Sequence, residues 1–238
     1  MRDKIEKNTE IQRDYYERTA SDYNTLHIKE NDAHHFALLF LEATIELYGI
    51  QSILDIGAGT GRAALYLKKK KPNLKILSIE PVKALREIGH SSGIDKDELI
   101  PGDATQLNFS DNSFDLVCEF GALHHIHNPR KAVSEMLRVG KKAIFISDSN
   151  NFGQGSYLSR SIKQILNALK LWKVADFIKT HGKCYTITEG DGLSYSYSVF
   201  NDYKLIKNKC TKVHIMNTDN GGKNLYKTAS HIALLGIK

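Results

Sequence analysis

Three cysteines in 238 residues, Cys118, Cys184 and Cys210, are too few for a disulfide framework, and none forms the CxxC spacing of a zinc cluster. Reduced, mostly buried thiols are expected. No run approaches the roughly 18 apolar residues that cross a bilayer. The charged opening "MRDKIEKNTEIQRDYYERTASDYN" has no apolar signal core, so a cytoplasmic chain without a membrane span is expected. Internal repeats, low-complexity linkers, arginine-rich clusters and a recognisable RNA-binding module are all missing. What is present, 41% hydrophobic residues, suffices for the core of one enzyme-sized domain.

The net charge of +6 is unevenly spread. Residues 1–150 hold 20 Lys and Arg against 22 Asp and Glu, whereas residues 151–238 hold 13 against 5. Such an excess suits a phosphate, a carboxylate or a nucleic acid, but a solvated lysine surface explains it equally well because the lysines are scattered.

Apolar spacing predicts helices over 9–24 and 31–48, the second capped by Asp32 and stopped at Gly49. From there short β-rich runs alternate with helical ones: "QSILDIG", "RAALYLKKKK", "LKILSIE", "PVKALREIGH", "DELIPGDA", "FDLVCEF", "PRKAVSEMLRV", "KKAIFISDS". That rhythm implies right-handed crossovers and a parallel sheet covered on both faces. After Ser149 it breaks into a glycine-rich turn, one or two helices, and a Tyr/Ser/Gly-rich stretch without a period. A helix, "TKVHIMN", the turn "DNGGKN" and "ASHIALLGI" close the chain, and two strands joined by a turn must pair antiparallel.

The first strand runs into Gly57-Ala58-Gly59-Thr60-Gly61, a loop whose glycines let the backbone approach a ligand at a helix N-terminus. A dinucleotide fingerprint needs glycine at the sixth position, which is Arg62. Asp55, two residues before the loop, would repel a pyrophosphate, so a cationic or hydrogen-bond-donating ligand is expected. On these residues the stretch resembles the first motif of the class I S-adenosylmethionine-dependent methyltransferases, and within them the group related to ubiquinone and menaquinone biosynthesis enzymes.

Further resemblances follow in order. Glu80, followed by Pro81, resembles the acid that accepts the ribose hydroxyls. Asp103 and Ala104 resemble the segment that meets the adenine. Glu119 and Phe120 resemble the strand end whose backbone faces the methionine ammonium, and "YYERTASDYN", with Tyr15 and Tyr23, resembles the segment that closes over the cofactor. The resemblance implies S-adenosylmethionine as cofactor and a Rossmann-like, doubly wound, seven-stranded and mainly parallel sheet whose last strand is antiparallel, with a lid insertion after the fifth strand. The expected division is a helical cap over 1–50, a cofactor-binding core over 51–150, a substrate lid over 151–205 and the end of the core sheet over 206–238.

Methyl transfer needs alignment and exclusion of water, and a hydroxyl acceptor also needs a base. "LHHIHNP" supplies His124, His125 and His127 beyond the fourth strand; His125 is expected as the base with His124 packing beside it. Together with Asp148 these histidines match no standard metal spacing, and no metal is expected. Acceptor contacts are sought in the insertion, at Tyr157, Arg160, Tyr185, Tyr195 and Tyr197, with Lys163 and Gly182, Gly190 and Gly192 as further anion contact and hinges. That mixture suits O-methylation of a small polar acceptor, a sugar or nucleotide-linked sugar, better than a greasy quinone. N-methylation, an RNA methyltransferase and a non-catalytic cofactor-binding protein remain the alternatives, and the oligomeric state is open.

Overall fold

In β1 (Ser52–Ile56) the neighbours Ile53 and Leu54 are both withdrawn from solvent although successive side chains point to opposite faces, so the sheet must be covered on both sides. The computed structural model, which describes residues 2–219 and 221–238 and side chains from residue 6 onward, shows that cover. Parallel to β1 run β2 (Lys75–Ile79), β3 (Leu99–Ile100), β4 (Phe114–Phe120) and β5 (Gly140–Ser149). The last strand, β9 (His231–Ile237), lies antiparallel between β5 and β8 (Lys212–Asn217), giving the seven-strand order β3-β2-β1-β4-β5-β9-β8. This is the expected doubly wound, mainly parallel sheet.

One face packs against α3 (Ala33–Leu47) and α4 (Arg62–Lys70), where Leu38, Leu41 and Leu67 meet Ile53, Leu116 and Phe145. The other receives α6 (Pro129–Val139) and α9 (Tyr203–Lys209), whose Val133, Met136 and Ile206 meet Leu54, Val117 and Ile144. Helix α5 (Lys83–Ser91) flanks β3. The helical cap is therefore smaller than residues 1–50. Helix α3 is part of the core, and only α1 (Arg2–Thr19) and the short α2 (Tyr23–His27) stand at the carboxyl edge of the sheet.

The insertion also divides. Helices α7 (Tyr157–Ala168) and α8 (Trp172–Lys179) pack beside the turn at Asn151–Gly153 and the Tyr226 segment, whereas the hairpin of β6 (Thr186–Thr188) and β7 (Gly192–Ser194) clasps α1. The clasp is polar: Tyr15 Oη donates to the Glu189 carbonyl at 2.6 Å, the Leu193 amide donates to Gln12 Oε1, and Asn8 Nδ2 donates to Tyr195 Oη at 3.2 Å. Among the described residues no helix is long and apolar enough to cross a membrane.

Candidate functional site

Parallel strands deliver their following loops to one edge, and the loops after β1, β2, β3 and β4 meet there. They line a cavity of ≈ 750 Å³ roofed by the α1 face that carries Glu6, Glu10, Arg13 and Tyr16. A second cavity of ≈ 100 Å³ lies behind it, and Tyr16, Tyr23, Gly57, Phe120, Gly121 and His125 line both. The glycine loop is shaped by contact as well as by backbone angle. Gly57 has φ +66°, and a Cβ there would lie 2.5 Å from the Ala122 methyl; Gly59 has φ +58°, and its Cβ would lie 2.5 Å from the Tyr23 hydroxyl.

Glu80, at the end of β2, is buried, and its two oxygens accept from the Gly59 and Val82 amides, each at 2.9 Å. Burial raises its pKa above the ordinary value, against those two hydrogen bonds. Each oxygen retains capacity to accept a further hydrogen bond, and Glu80 lines the larger cavity together with Pro81, Asp103 and Ala104. Asp103 is tied to its own turn through the Thr105 amide at 2.8 Å, and Arg13 of the roof lies 3.7 Å from it. Asp55 is fully buried and faces the smaller cavity. It accepts only a weak hydrogen bond from the Cys118 thiol at 3.7 Å, and burial, with Glu80 nearby, pushes its pKa up to about 7.

One residue expected at the cofactor stands elsewhere. Tyr15 is one helical step from Tyr16, and that rotation of about 100° turns it into the hairpin, where it packs on Gly192. Tyr16 takes the place in the cavity wall. The Glu119 side chain is buried beneath the site, accepting from the Ala122 and Ser147 amides at 2.9 and 3.1 Å, so it shapes the loop after β4 without lining either cavity.

The histidines make a network. His124 Nδ1 contacts Asp148 Oδ1 at 2.7 Å, and Asp148 also accepts from the Leu123 amide at 2.9 Å. His124 Nε2 and His125 Nε2 each lie 3.4 Å from Asp191, which the β6–β7 turn inserts between them. Burial disfavours the charge on His124, but Asp148 and then Asp191 outweigh it and hold its pKa well above the ordinary value. Burial likewise opposes the charge on Asp148 and Asp191, and the histidines pull both well below the carboxylate range. His124 is thus held between two carboxylates, where plain packing was expected.

His125 differs. Its Nδ1 lies 2.7 Å from the Leu193 carbonyl and 3.0 Å from Gln12 Nε2, so that nitrogen is engaged by the hairpin and by α1, while Nε2 faces the cavity wall. The Tyr16 hydroxyl is hydrogen-bonded to that Nε2 at 2.9 Å. The donor atoms of His124, His125 and Asp191 lie within 4.8 Å of one another, the only set among the described residues spaced to take a metal ion. Spacing along the chain could not show it, since Asp191 arrives from a hairpin more than sixty residues away. Its one signal is an acid between two glycines, in "EGDGLS". Gln12, Tyr16 and Asp191 were not singled out from the sequence.

Of the expected acceptor contacts, Tyr195 stacks edge-on against His127 at 5.4 Å and against Tyr185 at 6.2 Å, beside the mouth of the larger cavity. The other three are not brought to it. Tyr157 is 80% exposed on α7, Arg160 lines a separate hollow with Asp219 and Lys223, and Tyr197 is buried in the second core against Asp202. Helix α7 is held away from the edge, and the β7 strand turns Tyr197 inward.

Residues 54–145 match the family model described as a methyltransferase domain. The demethylmenaquinone methyltransferase of Renibacterium salmoninarum is 33% identical over 126 residues, covering 49% of this chain and 52% of that protein. The norajmaline N-methyltransferase of Rauvolfia serpentina is 32% identical over 93 residues, 37% of this chain and 32% of that protein. The chain therefore spans about half the length of the first and about a third of the second. The crystal structure of magnesium protoporphyrin IX methyltransferase from Synechocystis with bound S-adenosylhomocysteine superposes with a TM-score of 0.61 over 97% of this chain and 99% of that one. Its 12% identity makes that a likeness of fold.

The residues present fit S-adenosylmethionine. A desolvated carboxylate with only a thiol partner, Asp55, suits a cationic group in the smaller cavity. A buried acid with free lone pairs, Glu80, suits a pair of hydroxyls in the larger, and the glycine loop between them admits a ligand where side chains would clash.

Proposed function

We propose, on the premise that residues 54–145 form a class I S-adenosylmethionine-dependent methyltransferase domain, that the chain methylates a hydroxyl of a small polar acceptor. The observation that carries the choice of oxygen is the His125 imidazole, which stands in the wall shared by the two cavities with Nε2 on the Tyr16 hydroxyl at 2.9 Å. S-adenosylmethionine, when bound, supplies a methyl group made electrophilic by its sulfonium. Glu80 and Asp103 would hold its nucleoside and Asp55 its charged end, while Tyr16, Tyr23 and Phe120 exclude water from the space between.

The acceptor hydroxyl would take the place of the Tyr16 hydroxyl on His125 Nε2 and lose its proton there as the methyl arrives. The Leu193 carbonyl then stabilises the imidazolium through Nδ1. Around the mouth stand Glu10, Arg13, His127 and Lys131, a polar rim that suits a hydroxylated acceptor and that a quinone ring would strip of water.

The test is transfer of isotopically labelled methyl to a panel of nucleotide sugars, free sugars, quinols and amines. Label on an oxygen of a sugar-like acceptor, lost in His125→Gln, supports the proposal. Label only on quinol carbon or on amine nitrogen overturns it. A chelator separates the two uses of the histidine cluster: activity that survives keeps His125 as base, and activity lost and then restored by added zinc or manganese makes the cluster a metal centre instead.

A further inference from the structure

Helix α7 is docked with its polar side inward. Gln164 Nε2 donates to the carbonyls of Phe152 and Lys227 at 2.9 and 2.8 Å, Lys163 Nζ to that of Gln154 at 2.8 Å, and Asn167 Nδ2 to the Tyr226 hydroxyl at 2.7 Å. The apolar stripe of the same helix, Leu158, Ile162, Ile165 and Leu169 at helical spacing, faces solvent, with Leu158 68% and Leu169 62% exposed. Helix α8 repeats the arrangement with Val174, Phe177 and Ile178. Nine of the 14 exposed large hydrophobic side chains among the described residues fall within residues 157–178, a concentration that a dispersed surface does not show.

The charge around this face has one sign. Lys170, Lys173, Lys179 and Lys183 are exposed, and the only acid between Gly155 and Thr188 is Asp176, which is buried and accepts from Ser196 Oγ. An inverted amphipathic helix pair edged by lysines has the composition of an interfacial segment, whose apolar side enters the acyl boundary while cations meet anionic headgroups. A second copy of the chain fits less well, because a two-fold contact through this face would set lysines against lysines with no exposed acid of the segment to pair them. We propose that α7 and α8 dock the protein on an anionic lipid bilayer, with Leu158, Ile162, Ile165 and Phe177 entering the surface. This is independent of the reading of His125.

Flotation of the full chain with vesicles tests it. Vesicles containing phosphatidylglycerol should retain at least tenfold more protein than phosphatidylcholine vesicles, and salt should reduce the difference. Ile165→Asp with Phe177→Asp should lower binding at least tenfold without moving the melting temperature by more than a degree or two, since both side chains already face water. Lys170→Glu with Lys173→Glu should remove only the preference for anionic lipid. Absence of flotation with either vesicle overturns the proposal. So does a dimer in sedimentation that Ile165→Asp dissociates, which would make the face a contact between copies. Binding abolished by the lysine changes but indifferent to the apolar ones would assign it to a polyanion such as RNA, with the same consequence.

Discussion

Replacing Asp55 with asparagine exchanges a buried carboxyl for a neutral amide of nearly the same shape. The carboxyl's pKa stands at about 7 against an ordinary 3.8, chiefly through burial. A carboxyl protonated more readily in the folded chain contributes stability that is full below the ordinary range and is lost as the pH rises from there through about 7. A displacement from 3.8 to about 7 corresponds to about 4 kcal/mol between the two limits, the upper end for a site that does not relax. Asp55→Asn removes that pH-dependent loss. At pH 8 the variant without ligand should melt about 10 °C higher than the parent, for a chain in which 1 kcal/mol moves the melting temperature by about 2–4 °C. At pH 5, little more than one unit above the ordinary value, the difference should fall to about 4 °C. S-adenosylhomocysteine, which carries an ammonium, needs the ionised carboxylate. Its stabilisation of the parent should therefore weaken about tenfold in affinity for each pH unit below 7, and should be largely absent in the variant. Melting curves from pH 5 to 9, with and without ligand, decide the matter. If the parent and Asp55→Asn show the same pH profile, or if the variant keeps the full ligand effect, Asp55 is not the desolvated anion described above.

His125→Gln keeps a hydrogen-bonding side chain but no base, and should lower turnover by about 10²–10⁴-fold while the thermal shift with S-adenosylhomocysteine stays within a degree of the parent's. Gly59→Ala should abolish that shift. The left-handed backbone and the Tyr23 hydroxyl 2.5 Å from the new methyl both oppose it, and calorimetric titration gives the readout. Burial lowers the pKa of His34 to about 3 and of His231 to about 4, their rings lying 4.5 Å apart beneath the site. Both are neutral in the folded chain, so the stability they contribute is present above the ordinary histidine value near 6.5 and is lost as the pH falls from there toward 3–4. His231→Asn should flatten the acid limb of the stability profile, and an unchanged acid limb would count against the buried neutral pair.

What the chain alone determined is whatever depends on neighbours in sequence. Period-two and helical spacing set the order of strands and helices. The turn residues after β1 and the acids at strand ends marked the cofactor edge, because parallel strands must all release their loops on one side. Asp55, Glu80 and Asp103 were legible for that reason. Tertiary structure decided the rest. One helical step separates Tyr15 from Tyr16, and only packing against the hairpin settled which faces the cavity. His124 meets Asp148 and Asp191, and His125 the Leu193 carbonyl, only through contacts between segments that are 24 to 68 residues apart. The apolar stripe of α7 faces solvent because the polar side of that helix is the one docked. Periodicity reveals that a helix has two faces, and the energetics of its partners choose which one the solvent meets.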